Sequence, residues 1–128
     1  MSSAREQCWV LIGIYLPLEH QWQVQRQRRV RGSRESVTAD WAWALDREET
    51  RGDVLGFLHT HPAGAGTRPS ERDTQSMRAW CSALGKPLLC IIRERREIAG
   101  YVFLNAEKDG QPVRSILSTG PGGFLVEE

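Results

Sequence analysis

The sequence predicts a single α/β domain, a mixed β-sheet flanked by helices, and three observations carry the prediction. Apolar runs of strand length recur at 8–16, 54–60, 88–92 and 98–104, short enough and bounded by enough turn residues to be strands rather than helices. Between the second and third runs, Met77, Trp80, Cys81 and Leu84 follow the i, i+3, i+4, i+7 spacing of one helix face. The chain has 128 residues, the length of one domain and enough to bury a core.

Taken in order, the run 8–16 is apolar almost throughout, which suggests a central strand covered on both faces. Pro17-Leu18-Glu19-His20 is a turn, with His20 expected at the surface. Trp22 and Val24 then alternate with glutamines, and the strand continues through Arg26, Arg28, Arg29, Val30 and Arg31 to a break at Gly32-Ser33. The result is a hairpin with one wet face, whose arginines keep an edge soluble and unpaired. Thr38 is a helix cap ahead of Trp41, Ala44, Leu45 and Glu48, which share a side, with Gly52 past the end. Trp41 and Trp43 cannot share that side, so one of them is expected to be exposed or to face a partner.

The run 54–60 ends in His59-Thr60-His61-Pro62. Residues at i and i+2 of a strand point to the same face, so the two imidazoles leave it side by side. Pro62 and a Gly-rich loop turn the backbone to Ser70, a good N-cap, with Asp73 at the capping-box position three residues on. Stepping back from Met77 along the helix face reaches Asp73 and Ser70. Both therefore point toward the core side and the histidines. Two imidazole nitrogens and one carboxylate are three ligands for a tetrahedral zinc with an open position, the pattern of a catalytic rather than a closed structural site. Gly85 and Pro87 close the helix. The strands at 88–92 and 98–104 flank a charged turn, Asp109-Gly110 marks another, and a last strand is expected at 113–117. The stretch 118–128 is rich in turn residues and is expected to be a mobile tail, although its Gly122-Gly123 has the look of the processed end of a ubiquitin-like modifier.

His-x-His-Pro, a short loop and Ser-x-x-Asp together resemble the JAMM motif of the MPN (JAB) metalloproteases, the zinc-dependent deubiquitinase family. In that family a glutamate upstream opens a strand and precedes an apolar run and a glycine, as Glu6-Gln-Cys-Trp-Val-Leu-Ile-Gly13 does here. Glu19, Glu35, Glu48 and Glu49 also precede the histidines, but none opens an apolar strand. The resemblance implies an MPN/JAB-like domain of cytidine-deaminase-like architecture over 1–128. It implies that His59, His61 and Asp73 bind zinc, that Glu6 passes a proton from the attacking water to the leaving amine, and that Ser70 donates to the oxyanion. Peptide or isopeptide hydrolysis after the C-terminus of a ubiquitin-like protein is the implied reaction, as precursor processing or deconjugation, with a water on the metal as nucleophile. The compact length looks like that of prokaryotic relatives that accompany ubiquitin-like conjugation or sulfur-carrier systems, some of them in antiviral operons, so activating and conjugating enzymes are implied partners.

The sequence departs from the family in three places. Eight residues separate His61 from Ser70, one more than usual, and five precede Glu6 where a helix is usual. Trp9 stands where many relatives have glycine.

With 17 basic and 16 acidic residues the net charge is +1, so no global field attracts nucleic acid or a membrane. The run 10–16 is too short to span a bilayer and no signal-like segment opens the chain, which points to the cytoplasm. Cys8, Cys81 and Cys90 sit in apolar segments without CxxC spacing and read as buried thiols. Two other readings stand beside the hydrolase. One is a non-catalytic MPN-type scaffold, which loses ligands that this chain keeps. The other is a RadC-like protein of DNA metabolism, sharing the Pro-Ser-x-x-Asp spelling and supported locally by the arginines of 26–34.

Overall fold

The computed structural model describes residues 7–30 and 34–128, with backbone alone at 26, 27 and 34–40. Glu6 and the break at Gly32-Ser33 lie outside the described residues. One eight-stranded mixed sheet organises the domain. Its strands are β1 (Cys8–Leu16), β2 (Gln21–Val30), β3 (Val54–Thr60), β4 (Leu88–Glu94), β5 (Glu97–Phe103), β6 (Gln111–Pro112), β7 (Ser115–Gly120) and β8 (Gly123–Glu127), and its helices are α1 (Arg34–Arg51) and α2 (Glu71–Leu84). The spatial order is β6-β5-β4-β3-β1-β2-β8-β7. Only β3 and β4 run parallel, because α2 makes the crossover between them; the other neighbours are antiparallel.

The all-apolar pattern of β1 is explained by its place between β3 and β2, with an apolar cluster on each face of the sheet. On the helix side, Val10, Ile12, Val54, Phe57, Cys90, Ile92 and Phe103 meet Ala44 of α1 and Met77 and Cys81 of α2. On the other side, Leu11, Leu58, Leu89 and Ile91 are buried against Trp22 and Val24 of β2 and Phe124 and Val126 of β8. There β5 and β7, from opposite ends of the sheet, touch each other. Each fully buried aliphatic of these clusters contributes about 1.5–3 kcal/mol relative to its exposed state.

Three expectations need correction. The stretch 118–128 is not a mobile tail: β8 pairs with β2 through Phe124 opposite Val24 and Val126 opposite Trp22, and β7 pairs with β8. Gly122 belongs to that hairpin's turn, with φ +73°, and Gly123 opens β8. The last strand is accordingly split into β6 and β7, with Val113 between them. Second, α1 begins at Arg34, so Thr38 lies inside the helix instead of capping it. Its contact point is Ala44, fully buried, while Leu45 is 45% exposed. Third, neither tryptophan of α1 is exposed. Trp41 packs on Phe57 and Trp80, and Trp43 lies under the Arg28 guanidinium at 4.7 Å. Cys81 and Cys90 are buried and Cys8 is half-buried. No helix among the described residues is long and apolar enough to cross a membrane.

Candidate metal centre

Three elements converge where β3 ends. Thr60 ties the strand to the start of β1: its backbone N–H donates to the Gln7 carbonyl at 2.9 Å and its Oγ1 accepts from the Gln7 N–H at 2.8 Å. His61 is tied to the neighbouring strand by its N–H, which donates to the Arg93 carbonyl at 2.9 Å. The loop after Pro62 is pinned along its length. The Gly64 N–H donates to the Glu94 carboxylate, and the Tyr101 hydroxyl donates to the Thr67 carbonyl at 2.9 Å. The extra residue of this loop is thus held within a fixed path.

The loop delivers Ser70 as the N-cap of α2, and the capping box expected from the sequence is present. Ser70 Oγ accepts from the Asp73 N–H at 3.0 Å, and Asp73 Oδ2 accepts from the Ser70 N–H at 2.9 Å. The box fixes the Asp73 carboxylate against both imidazoles. His59 Nε2 lies 3.1 Å from Oδ1 and His61 Nε2 lies 2.9 Å from Oδ2. One donor atom from each of the three side chains falls within a 4.8 Å span. Ligands of a tetrahedral zinc sit about 2.0–2.1 Å from the ion and therefore about 3.3 Å from one another, so little movement separates this cluster from a coordinating one.

Two observations test whether the donors suit a cation. The His61 Nδ1 stands 2.9 Å from the Gly66 carbonyl oxygen, which only accepts, so Nδ1 carries the proton. In the neutral ring Nε2 then presents a lone pair to a carboxylate oxygen, acceptor against acceptor, a contact that becomes favourable with a metal ion between them or a proton on Nε2. Second, His59 Nε2 is buried and makes no well-aligned hydrogen bond despite its closeness to Asp73. An orphaned buried nitrogen of this kind is costly unless something ligates it. Burial raises the affinity of Asp73 for a proton, but the His59 ring, the Ser70 N–H and the His61 ring outweigh it and hold the carboxyl well below the usual carboxylate range. The donor set fits a divalent metal, and two nitrogens with one oxygen suit zinc.

Of the residues singled out from the sequence, His59, His61 and Asp73 come together as a possible metal site, and Ser70 adjoins them through the capping box. Among the described residues its hydroxyl proton has no acceptor, since Oγ serves Asp73 as an acceptor and a hydroxyl donates independently. Glu6 is adjacent in sequence to Gln7, which lines the same cavity as His59 and Asp73. The sequence reading missed the aromatic wall of that cavity, Trp41, Phe57 and Trp80. A signal was present: Asp73, Met77 and Trp80 stand at i, i+4 and i+7, so the helix face that carries the carboxylate also carries an indole.

Residues 1–105 match the family model described as prokaryotic homologs of the JAB domain. A search of curated proteins finds no match. The family match ends before β6, so the hairpin of β7 and β8 lies beyond it.

Proposed function

Because the chain belongs to the prokaryotic JAB-domain family, we propose that it is a zinc-dependent peptidase or isopeptidase that cleaves after the C-terminus of a ubiquitin-like protein. The observation that supports this most is the cluster of His59, His61 and Asp73, with its orphaned His59 Nε2 and its lone pair facing a carboxylate.

Zinc bound there supplies Lewis acidity for the scissile carbonyl and brings a water's pKa down to about 7. The protein's own groups do the rest. Gly66 fixes the His61 tautomer so that Nε2 faces the metal position. Glu6, one residue before the Gln7–Thr60 pairing, takes the water's proton and returns it to the leaving amine. Ser70 Oγ–H donates to the oxygen that becomes negative at the tetrahedral stage. The substrate carbonyl must reach His59 and Asp73, both of which line a cavity open to solvent. An extended C-terminal tail suits such an entrance, which is why a ubiquitin-like protein or its conjugate is the proposed partner, with activating and conjugating enzymes acting upstream in the cytoplasm.

The test is to load the chain with zinc and incubate it with ubiquitin-like proteins fused through their terminal glycine either to a peptide or to a lysine side chain, reading products by mass. Cleavage after that glycine, stopped by a chelator and restored by zinc, is the expected result. Intact fusions of both kinds while zinc is bound would overturn the proposal.

A further inference from the structure

The cavity beside the metal centre is a cup with an aromatic floor, and that composition carries information about the substrate. Its volume is ≈ 330 Å³, and among the described residues Trp41, Phe57, Met77 and Trp80 form its apolar wall, with His59 and Asp73 on the side toward the metal position. The three rings brace one another: Trp41 meets Phe57 edge-on at 5.2 Å, Trp80 lies 4.8 Å from Phe57, and the two indoles are 5.5 Å apart. They come from α1, β3 and α2, so the wall is set by the fold and not by one mobile loop. Trp41 and Trp80 are only partly buried although they pack on the core. Their remaining accessible surface faces the cavity and is available to an apolar group of a substrate.

Size and position limit the occupant. Pockets that hold small ligands run from about 300 to 1,000 Å³, so this one has room for a single large side chain and not for a folded surface. Two of its walls are metal-ligand candidates. A residue spans at most about 3.6 Å of extended chain, so the side chain that enters belongs to a residue next to the scissile bond. Among the described residues, the charged groups in the lining are Arg72, which is exposed, and the Asp73 carboxylate, which is engaged with the two histidines. The four apolar side chains beside Arg72 suit an apolar occupant better than a cationic one.

We infer that the substrate seats a bulky apolar side chain, aromatic or branched aliphatic, in the Trp41–Phe57–Trp80 cup when its scissile carbonyl reaches the metal position. This rests on the hydrolase reading above and adds to it a selectivity: a bond flanked by glycine on both sides leaves the cup empty and forgoes its burial energy. The cup then excludes water from one side of the reacting carbonyl only when it is filled.

The test separates binding from turnover. The zinc-loaded chain carrying ¹⁵N-labelled tryptophan is titrated with N-acetyl-phenylalaninamide and with N-acetyl-glycinamide, the indole signals being assigned with Trp41→Phe and Trp80→Phe. Ser76→Trp, a change at an exposed position of α2 on the rim, serves to plug the cup, and its zinc content checks that the centre is intact. The indoles of Trp41 and Trp80 should shift saturably with the phenylalanine amide, not with the glycine amide, and not in the plugged variant. In cleavage assays the preference in kcat/KM for a phenylalanine or leucine flank over glycine should be at least about tenfold, the worth of 1.4 kcal/mol of burial, and should fall to about one in the plugged variant. Cleavage without indole shifts or without that preference overturns the inference and leaves the hydrolase standing. Shifts without cleavage of any peptide overturn the hydrolase reading on which it rests.

Discussion

Exchanging Glu6 for alanine should lower kcat by about 10²–10⁴-fold, the range that a positioned general base contributes, while zinc content and folding stay unchanged. Among the described residues the ligand cluster is His59, His61 and Asp73, and in the proposed mechanism Glu6 moves a proton without ligating, so its loss should slow turnover without removing the metal. Glu6→Gln keeps the size and polarity of the side chain and should be as slow, because the amide cannot accept and return a proton at neutral pH. The pair of variants, assayed on a cleavable fusion at saturating substrate, distinguishes base chemistry from a contribution to binding. Turnover within about threefold of wild type in either variant would remove Glu6 from the mechanism.

Gly56→Ala should be the most damaging small substitution to the fold. Gly56 lies in the middle of β3 at φ +152°, a conformation that side-chain-bearing residues rarely adopt, and a Cβ there would fall 1.8 Å from the Leu89 carbonyl oxygen. The neighbour is backbone of the paired strand β4, so it cannot swing aside. Relief requires β3 and β4 to separate, at the one parallel pairing of the sheet and three residues before His59. Backbone strain and overpacking each cost about 1–3 kcal/mol, and a sum of about 2–6 kcal/mol is a large share of the roughly 5–15 kcal/mol that stabilises a domain. Urea unfolding should show the midpoint falling steeply or the variant failing to fold. A loss below about 1 kcal/mol would mean that the β3–β4 pairing yields more easily than its geometry indicates.

The pairing also explains why the candidate centre was readable from the sequence while other parts were not. Ser70, Asp73 and the histidines are linked by local rules, the strand alternation and the capping box, and both rules hold here. The apolar character of β1 likewise announces its central place, because both faces are covered. The C-terminal hairpin was hidden by its own turn residues. Phe124 and Val126 alternate as strand residues should, but what makes them a strand is pairing with Val24 and Trp22, near the other end of the chain. Turn propensity is local and strand pairing is not, so Gly120-Pro121-Gly122-Gly123 read as a loose tail. The expectation that one of Trp41 and Trp43 is exposed or faces a partner fails for the same reason: the cover over Trp43 is the Arg28 side chain of β2, which no helical periodicity reveals. The aromatic cup combines α1, β3 and α2 and became visible only when the three were assembled.

The measurement that tests the account most directly is zinc per chain by elemental analysis, on the wild type and on His59→Ala and Asp73→Ala, each confirmed folded by circular dichroism. Asp73→Ala also removes half of the capping box, a cost of about 1 kcal/mol that the domain should survive. The account predicts about one zinc in the wild type, the single open-sided site of a catalytic centre, and loss of that zinc in both variants. A folded wild type that takes up no zinc, or one whose zinc persists in both variants, would contradict it.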